Sequence, residues 1–112
     1  MKFETEENEL LYRVCYYSML PSPYEWIFNS KTLPPCAVGW KPMKISRYKA
    51  RKYIHDWEQQ GLIAKCCIGG QDDDGNVRCY HGYTITEAMR KTGVYDEAKK
   101  DVNAYITDFL MA

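Results

Sequence analysis

The segment between Ser46 and Gly61 constrains the fold most, because its apolar side chains repeat with the period of an α-helix. Ala50, Ile54 and Trp57 are spaced four and three residues apart, so they share one face of a helix. Ser46 is a favourable N-cap, and Gly61 is a favourable C-terminal stop. We therefore predict a helix here that buries its Ala-Ile-Trp side in the core.

The opposite side of this helix is polar and basic. Tyr48, Lys52 and His55 fall opposite the apolar face, and Lys49 and Arg51 flank them. Exposed basic side chains on a helix with one buried side are what binding in a nucleic-acid groove requires. The alternative interpretation is a solvated helix face with no partner.

The formal net charge is zero, but the charges are strongly segregated. No acidic residue lies between Glu25 and Asp56, whereas seven Lys and Arg residues do. Acidic residues concentrate in residues 1–9 and in Asp72–Asp74. A basic block in a neutral chain is typical of phosphate binding, so the zero sum does not exclude a nucleic-acid partner.

The length of 112 residues suits one domain with a single modest core. The acidic N-terminus lacks the cationic and apolar regions of a signal peptide, and no apolar run is long enough to span a membrane. We therefore expect a cytoplasmic protein without a membrane partner.

The remaining patterns predict an α+β fold of helices and one hairpin. Apolar spacing indicates a first helix, which ends at the prolines that follow it. Turn residues between two strand-like runs indicate the hairpin. Thr86 is a plausible N-cap for a further helix, which Gly93 would interrupt. The predicted parts of the single domain 1–112 are a first helix at 9–20, a Pro- and aromatic-rich connection at 21–43, a second helix at 46–60, a hairpin at 62–83 and C-terminal helices at 86–111.

This order of elements is that of a winged helix-turn-helix domain. The stretch Ser46–Ile63 is similar to a recognition helix and to the segment that leads from it into the wing. The shared features are an initial Ser, a small apolar residue before Arg, and the ending Glu-x-x-Gly-Leu-Ile. The stretch Gly82–Arg90 resembles the second wing strand and following helix of multidrug-resistance-type and phenolic-acid-type bacterial regulators. The chain departs from the family at 33–43, where a Pro-rich stretch replaces the usual second helix, and at Met89, where those regulators carry Gly.

The resemblance implies a non-enzymatic protein that binds double-stranded DNA, such as a small bacterial or phage-type transcriptional regulator. Neither His55 nor His81 accompanies a nucleophile and an orienting carboxylate, and no cofactor is expected. The residues expected to contact DNA are Lys44, Ser46, Arg47, Tyr48, Lys49, Arg51, Lys52 and His55.

The predicted hairpin tip supports a different partner. Asp72, Asp73 and Asp74 would repel DNA phosphates, whereas wings that contact DNA tend to carry Arg or Lys. The alternative hypothesis is a phage-borne protein that inhibits a host nucleic-acid machine, as anti-CRISPR proteins do. Its acidic tip would then imitate phosphates and bind a basic host protein.

The cysteines favour no metal site, since none of the five forms the C-x-x-C spacing of zinc ligands. If the hairpin pairs about the centre of its tip, Cys66 lies opposite Cys79, and His81 shares the face of Cys79. A metal site of these three residues, with Cys36 as a possible fourth ligand, is the alternative to thiols that act as small apolar side chains.

The last helix has an apolar stripe that runs from Val94 to Leu110. This stripe suits either packing on the first helix of the same chain or formation of a homodimer, and the sequence favours neither.

Overall fold

The computed structural model of the protein describes residues 3–20, 45–71 and 74–111, and the predicted connection 21–43 lies outside them. Within the described residues it has three α-helices and one two-stranded antiparallel hairpin, which confirms the α+β class. The elements in chain order are α1 (Glu6–Met19), α2 (Arg47–Gln59), β1 (Ile63–Gln71), β2 (Val77–Ile85), a short 3-10 turn (Met89–Lys91) and α3 (Gly93–Met111).

Helix α1 begins at Glu6, earlier than the predicted start at residue 9. Thr5 caps it, because the Oγ1 of Thr5 accepts a hydrogen bond of 3.1 Å from the backbone N–H of Asn8. The acidic side chains of the first turn also interact favourably with the helix dipole. The apolar repeat did not reveal this turn because its side chains are polar.

The segment after the hairpin corrects the prediction of a helix that begins near Thr86 and is interrupted at Gly93. The Oγ1 of Thr86 accepts a hydrogen bond of 3.4 Å from the backbone N–H of Met89, but only the 3-10 turn follows. Thr92 then caps α3, since its Oγ1 accepts a hydrogen bond of 3.2 Å from the backbone N–H of Tyr95. Gly93 therefore starts the last helix instead of interrupting one.

The core lies where α1 packs against α3 and where α2 and the hairpin close over them. The hydroxyl of Tyr12 donates a hydrogen bond to the carboxylate of Asp101 and so joins α1 to α3. These contacts show that the last helix packs on the first, which is one of the two roles that the sequence left open for its apolar stripe. The buried apolar side chains are Leu10, Tyr12, Val14, Cys15, Tyr16, Ala50, Ile54, Trp57, Ile63, Ile85, Met89, Ala98 and Val102.

Tyr105 is an exception to the predicted apolar stripe of α3, because 51% of its surface is exposed. The side of α3 that packs on the core includes Val94, Ala98, Val102 and Ile106, which follow one another at four-residue intervals. Tyr105 lies seven residues beyond Ala98 and therefore only about 20° from it around the helix, so its exposure does not follow from the helical period.

Strands β1 and β2 form the predicted hairpin, with Ile63 opposite Ile85 and Gln71 opposite Val77. The paired strands extend from Ile63 to Ile85, whereas the sequence predicted a hairpin at 62–83. Two backbone hydrogen bonds connect the hairpin to the end of α2. The N–H of Leu62 donates to the carbonyl oxygen of Trp57 at 3.0 Å, and the N–H of Thr86 donates to the carbonyl oxygen of Leu62 at 3.1 Å. This arrangement is compatible with a winged-helix layout.

Candidate nucleic-acid interface

Helix α2 has the predicted buried side. Ala50, Ile54 and Trp57 are almost completely buried, with exposures of 0, 4 and 1%. Ser46 is the N-cap, and its Oγ accepts a hydrogen bond of 3.2 Å from the backbone N–H of Lys49. The helix is thus held by its apolar side and by its first turn, so its outer side has a defined orientation.

The outer side of α2 is exposed and basic, as the helical spacing predicted. Tyr48 is the most exposed large hydrophobic side chain among the described residues, at 79%. Acidic residues are absent from the first turn of the helix. The exposed residues proposed for DNA contact are Ser46, Arg47, Tyr48, Lys49, Arg51, Lys52 and His55, whereas Lys44 lies outside the described residues.

The first turn of α1 lies against one edge of α2, a contact that the sequence analysis missed. The carboxylate of Glu6 accepts a hydrogen bond of 3.1 Å from the hydroxyl of Tyr53, and its Oε2 lies 3.8 Å from the Nζ of Lys49. The Oε1 of Glu7 accepts a hydrogen bond of 3.0 Å from the indole Nε1 of Trp57. The acidic N-terminal cluster therefore meets the basic helix in the folded chain.

Two signals for this contact are present in the sequence. A buried Trp needs an acceptor for its indole N–H, and Trp57 was predicted to be buried. Glu6 and Glu7 also supply carboxylates that α1 itself does not pair. Partial desolvation, together with the hydrogen bond to Glu6, raises the pKa of the Tyr53 phenol, since both favour the neutral form. Tyr53 therefore keeps its phenolic proton at neutral pH and donates a hydrogen bond to Glu6.

The charges of the hairpin are divided between its base and its tip. Lys65 on β1 is exposed and was not among the predicted contact residues. Asp74 is exposed at the tip, where Gly75 adopts the left-handed conformation with φ of 84°. Asp72 and Asp73, the other two acids of the predicted protein-binding tip, lie outside the described residues.

The pairing expected for a metal site on the hairpin is wrong. Cys66 lies opposite Gly82, and Cys79 lies opposite Gly69. The predicted hairpin at 62–83 is centred between residues 72 and 73, whereas the observed pairing of Ile63 with Ile85 is centred on residue 74. Cys66 and Cys79 are therefore not cross-strand neighbours, and the proposed site of Cys66, Cys79 and His81 loses the geometry on which it depended.

Other possible assignments find no positive support. Among residues 3–20, 45–71 and 74–111, no three His, Cys, Asp or Glu side chains cluster in a way that could hold a metal ion. No helix in this described part combines the length and the apolar character that crossing a membrane would require. Comparison of the chain with protein-family models, with curated proteins and with solved structures finds no match.

Proposed function

We propose that this protein is a non-enzymatic DNA-binding protein with a winged-helix layout, of the kind found in small bacterial or phage-type transcriptional regulators. The observation that carries the proposal is the two-sided character of α2. Ala50, Ile54 and Trp57 anchor one side in the core, while the opposite side presents exposed cations. An α-helix with its side chains is about 10–12 Å across and fits the major groove, which is about 12 Å wide.

The exposed side chains of α2 suit two tasks in such a complex. Arg51 and Lys52 would neutralise phosphates, which supplies affinity without regard to sequence. Tyr48 and His55 are exposed on the same outer side and, together with Lys52, would contact base edges. Exposed Lys65 would add a cation at the base of the wing. The proposed partner is therefore double-stranded DNA, with a homodimer as a further possibility through α3.

Titration of random duplex DNA at several salt concentrations tests this proposal. Each phosphate contact contributes about 0.9 to the slope of log affinity against log salt concentration. Arg51→Ala and Lys52→Ala should each weaken binding and lower the slope by about one contact. Lys100→Ala removes the same charge from an exposed position on α3 and should leave the slope unchanged.

The result that overturns the proposal is the absence of binding to any duplex at low salt. In that case the acidic tip, Asp72–Asp74, becomes the surface to test. Loss of binding to a basic protein after all three are replaced by Asn would support the protein-inhibitor alternative. The solution mass of the purified protein, measured in parallel, shows whether a homodimer forms.

A further inference from the structure

We infer that Glu6, in the first turn of α1, acts as an internal counter-anion for Lys49 and so removes Lys49 from the phosphate-contacting set of α2. Phosphate contacts are then displaced towards the opposite edge of the helix, where Arg47 and Arg51 lie. This inference rests on the proposed DNA-binding function and concerns how the basic side of α2 is used.

The carboxylate of Glu6 is held in place on α2. It accepts a hydrogen bond of 3.1 Å from the hydroxyl of Tyr53, one turn beyond Lys49. Its Oε2 lies 3.8 Å from the Nζ of Lys49. Lys49 and Tyr53 are four residues apart and therefore occupy one stripe of the helix surface. The negative charge thus has a fixed position beside the ammonium group.

Glu7 anchors the same turn of α1 to the core. Its carboxylate accepts a hydrogen bond of 3.0 Å from the Nε1 of Trp57, which is four residues beyond Tyr53 on the same stripe. Because Trp57 is buried, this contact is tied to the packed part of the molecule. The first turn of α1 therefore cannot leave α2 without exposing a buried hydrogen-bonding group.

A phosphate that approached Lys49 would also approach Glu6. At physiological ionic strength charges are screened over about 8 Å, which is longer than the separation between the Glu6 carboxylate and the Lys49 ammonium. The phosphate would be repelled by the carboxylate while it was attracted by the ammonium. A lysine whose charge is already balanced by a carboxylate also neutralises less phosphate charge, and so releases fewer of the counterions condensed on the DNA.

Among the described residues, no carboxylate pairs with the opposite edge of α2 in this way. Arg47 and Arg51 are one turn apart and exposed, and within the described residues neither forms an ion pair. Glu58, which lies on that side of the helix, is seven residues beyond Arg51, or about 10 Å along the axis. The cations of α2 are therefore unequal, although the sequence shows them as one block.

The experiment compares salt-dependent binding of random duplex DNA by the wild type and by Lys49→Ala, Arg51→Ala and Glu6→Gln. Arg51→Ala should lower the slope by about 0.9, and Lys49→Ala by less than half as much. Glu6→Gln removes the carboxylate charge beside Lys49, so that Lys49 can contact a phosphate. This variant should steepen the slope by up to 0.9 and raise the affinity for DNA by up to about eightfold at 0.1 M salt. This gain should vanish in the double variant Glu6→Gln/Lys49→Ala, which isolates the coupling between the two residues.

Glu97→Gln is the matched control, since it removes a carboxylate charge from an exposed position on α3. Circular dichroism confirms that each variant is folded. The inference alone is overturned if Lys49→Ala weakens binding as much as Arg51→Ala does, or if Glu6→Gln behaves like Glu97→Gln. Absence of duplex binding by the wild type at low salt overturns the proposed function and this inference with it.

Discussion

The indole Nε1 of Trp57 donates a hydrogen bond of 3.0 Å to the Oε1 of Glu7, across 50 residues of sequence. This contact satisfies the one polar atom of a side chain that is otherwise packed in the core. It also fixes the first turn of α1 on α2, and so brings the acidic N-terminal segment to the basic helix.

Glu7→Ala should lower the free energy of unfolding by about 1–3 kcal/mol, because the indole N–H then remains buried without an acceptor. Urea denaturation monitored by Trp fluorescence measures the change. Glu4→Ala is the control, since Glu4 is exposed and precedes the helix, and it should change stability by less than about 0.5 kcal/mol. Equal shifts for the two variants would show that the hydrogen bond contributes nothing.

Tyr12→Phe should also destabilise the protein, by about 1–3 kcal/mol, because it removes the hydrogen bond to the Asp101 carboxylate that joins α1 to α3. Tyr48→Phe removes a hydroxyl from the exposed side of α2 and should be nearly neutral. Thermal unfolding of both variants, followed by circular dichroism, distinguishes them. An unchanged melting temperature for Tyr12→Phe would contradict the assigned role of this contact.

The buried thiol of Cys15 should make stability fall at alkaline pH. Burial raises the pKa of Cys15 to about 12, whereas an ordinary thiol has a pKa of about 8.5. The folded protein therefore holds this proton more tightly than the unfolded chain does. The resulting stabilisation is complete below about pH 8.5 and is lost as the pH rises towards 12.

Urea midpoints between pH 8 and pH 10 check this expectation, because the raised pKa values of Tyr12, Tyr16 and Tyr53 add their own effect only above about pH 10. Cys15→Ala should be less stable at neutral pH, owing to the lost volume, but should show a shallower decline with pH. Parallel pH profiles for the wild type and Cys15→Ala would refute the assignment to this thiol.

Gly61→Ala should destabilise the junction between α2 and the hairpin by about 1–2 kcal/mol, since Gly61 has a φ of 76° that L-residues with a side chain disfavour. No atom of the described residues lies within 4 Å of an added Cβ, so the expected cost comes from the backbone conformation. Gly93→Ala is the matched control, because a Cβ added at Gly93 also meets no atom of the described residues, whereas the φ of Gly93 is not positive. It should be neutral or stabilise by up to about 1 kcal/mol, and denaturant midpoints compare the two.

Local patterns predicted much of the secondary structure. The cap at Ser46, the buried spacing of Ala50, Ile54 and Trp57, and the stop at Gly61 all depend on residues within one or two turns of each other, and the structure contains each of them. The exposed basic side of α2 follows from the same spacing. The hairpin could be predicted because turn residues separate two strand-like runs.

Contacts between distant residues could not be predicted in the same way. The register that places Cys66 opposite Gly82 depends on how far the strands extend into the tip, which periodicity does not reveal. The start of α3 depends on Thr92, not on the apolar stripe.

The pairing of Glu6 with Lys49 shows the difference most clearly. The sequence contains one basic block and two acidic clusters, and the charges of the whole chain cancel in the sum. The meeting of the N-terminal acidic cluster with the basic helix requires the first turn of α1 to contact α2, and burial of Trp57 together with its hydrogen bond to Glu7 holds that turn in place. Net charge and helical period can be read from the sequence. The pairing of Lys49 with Glu6 depends instead on the distance between their side chains, which only folding establishes.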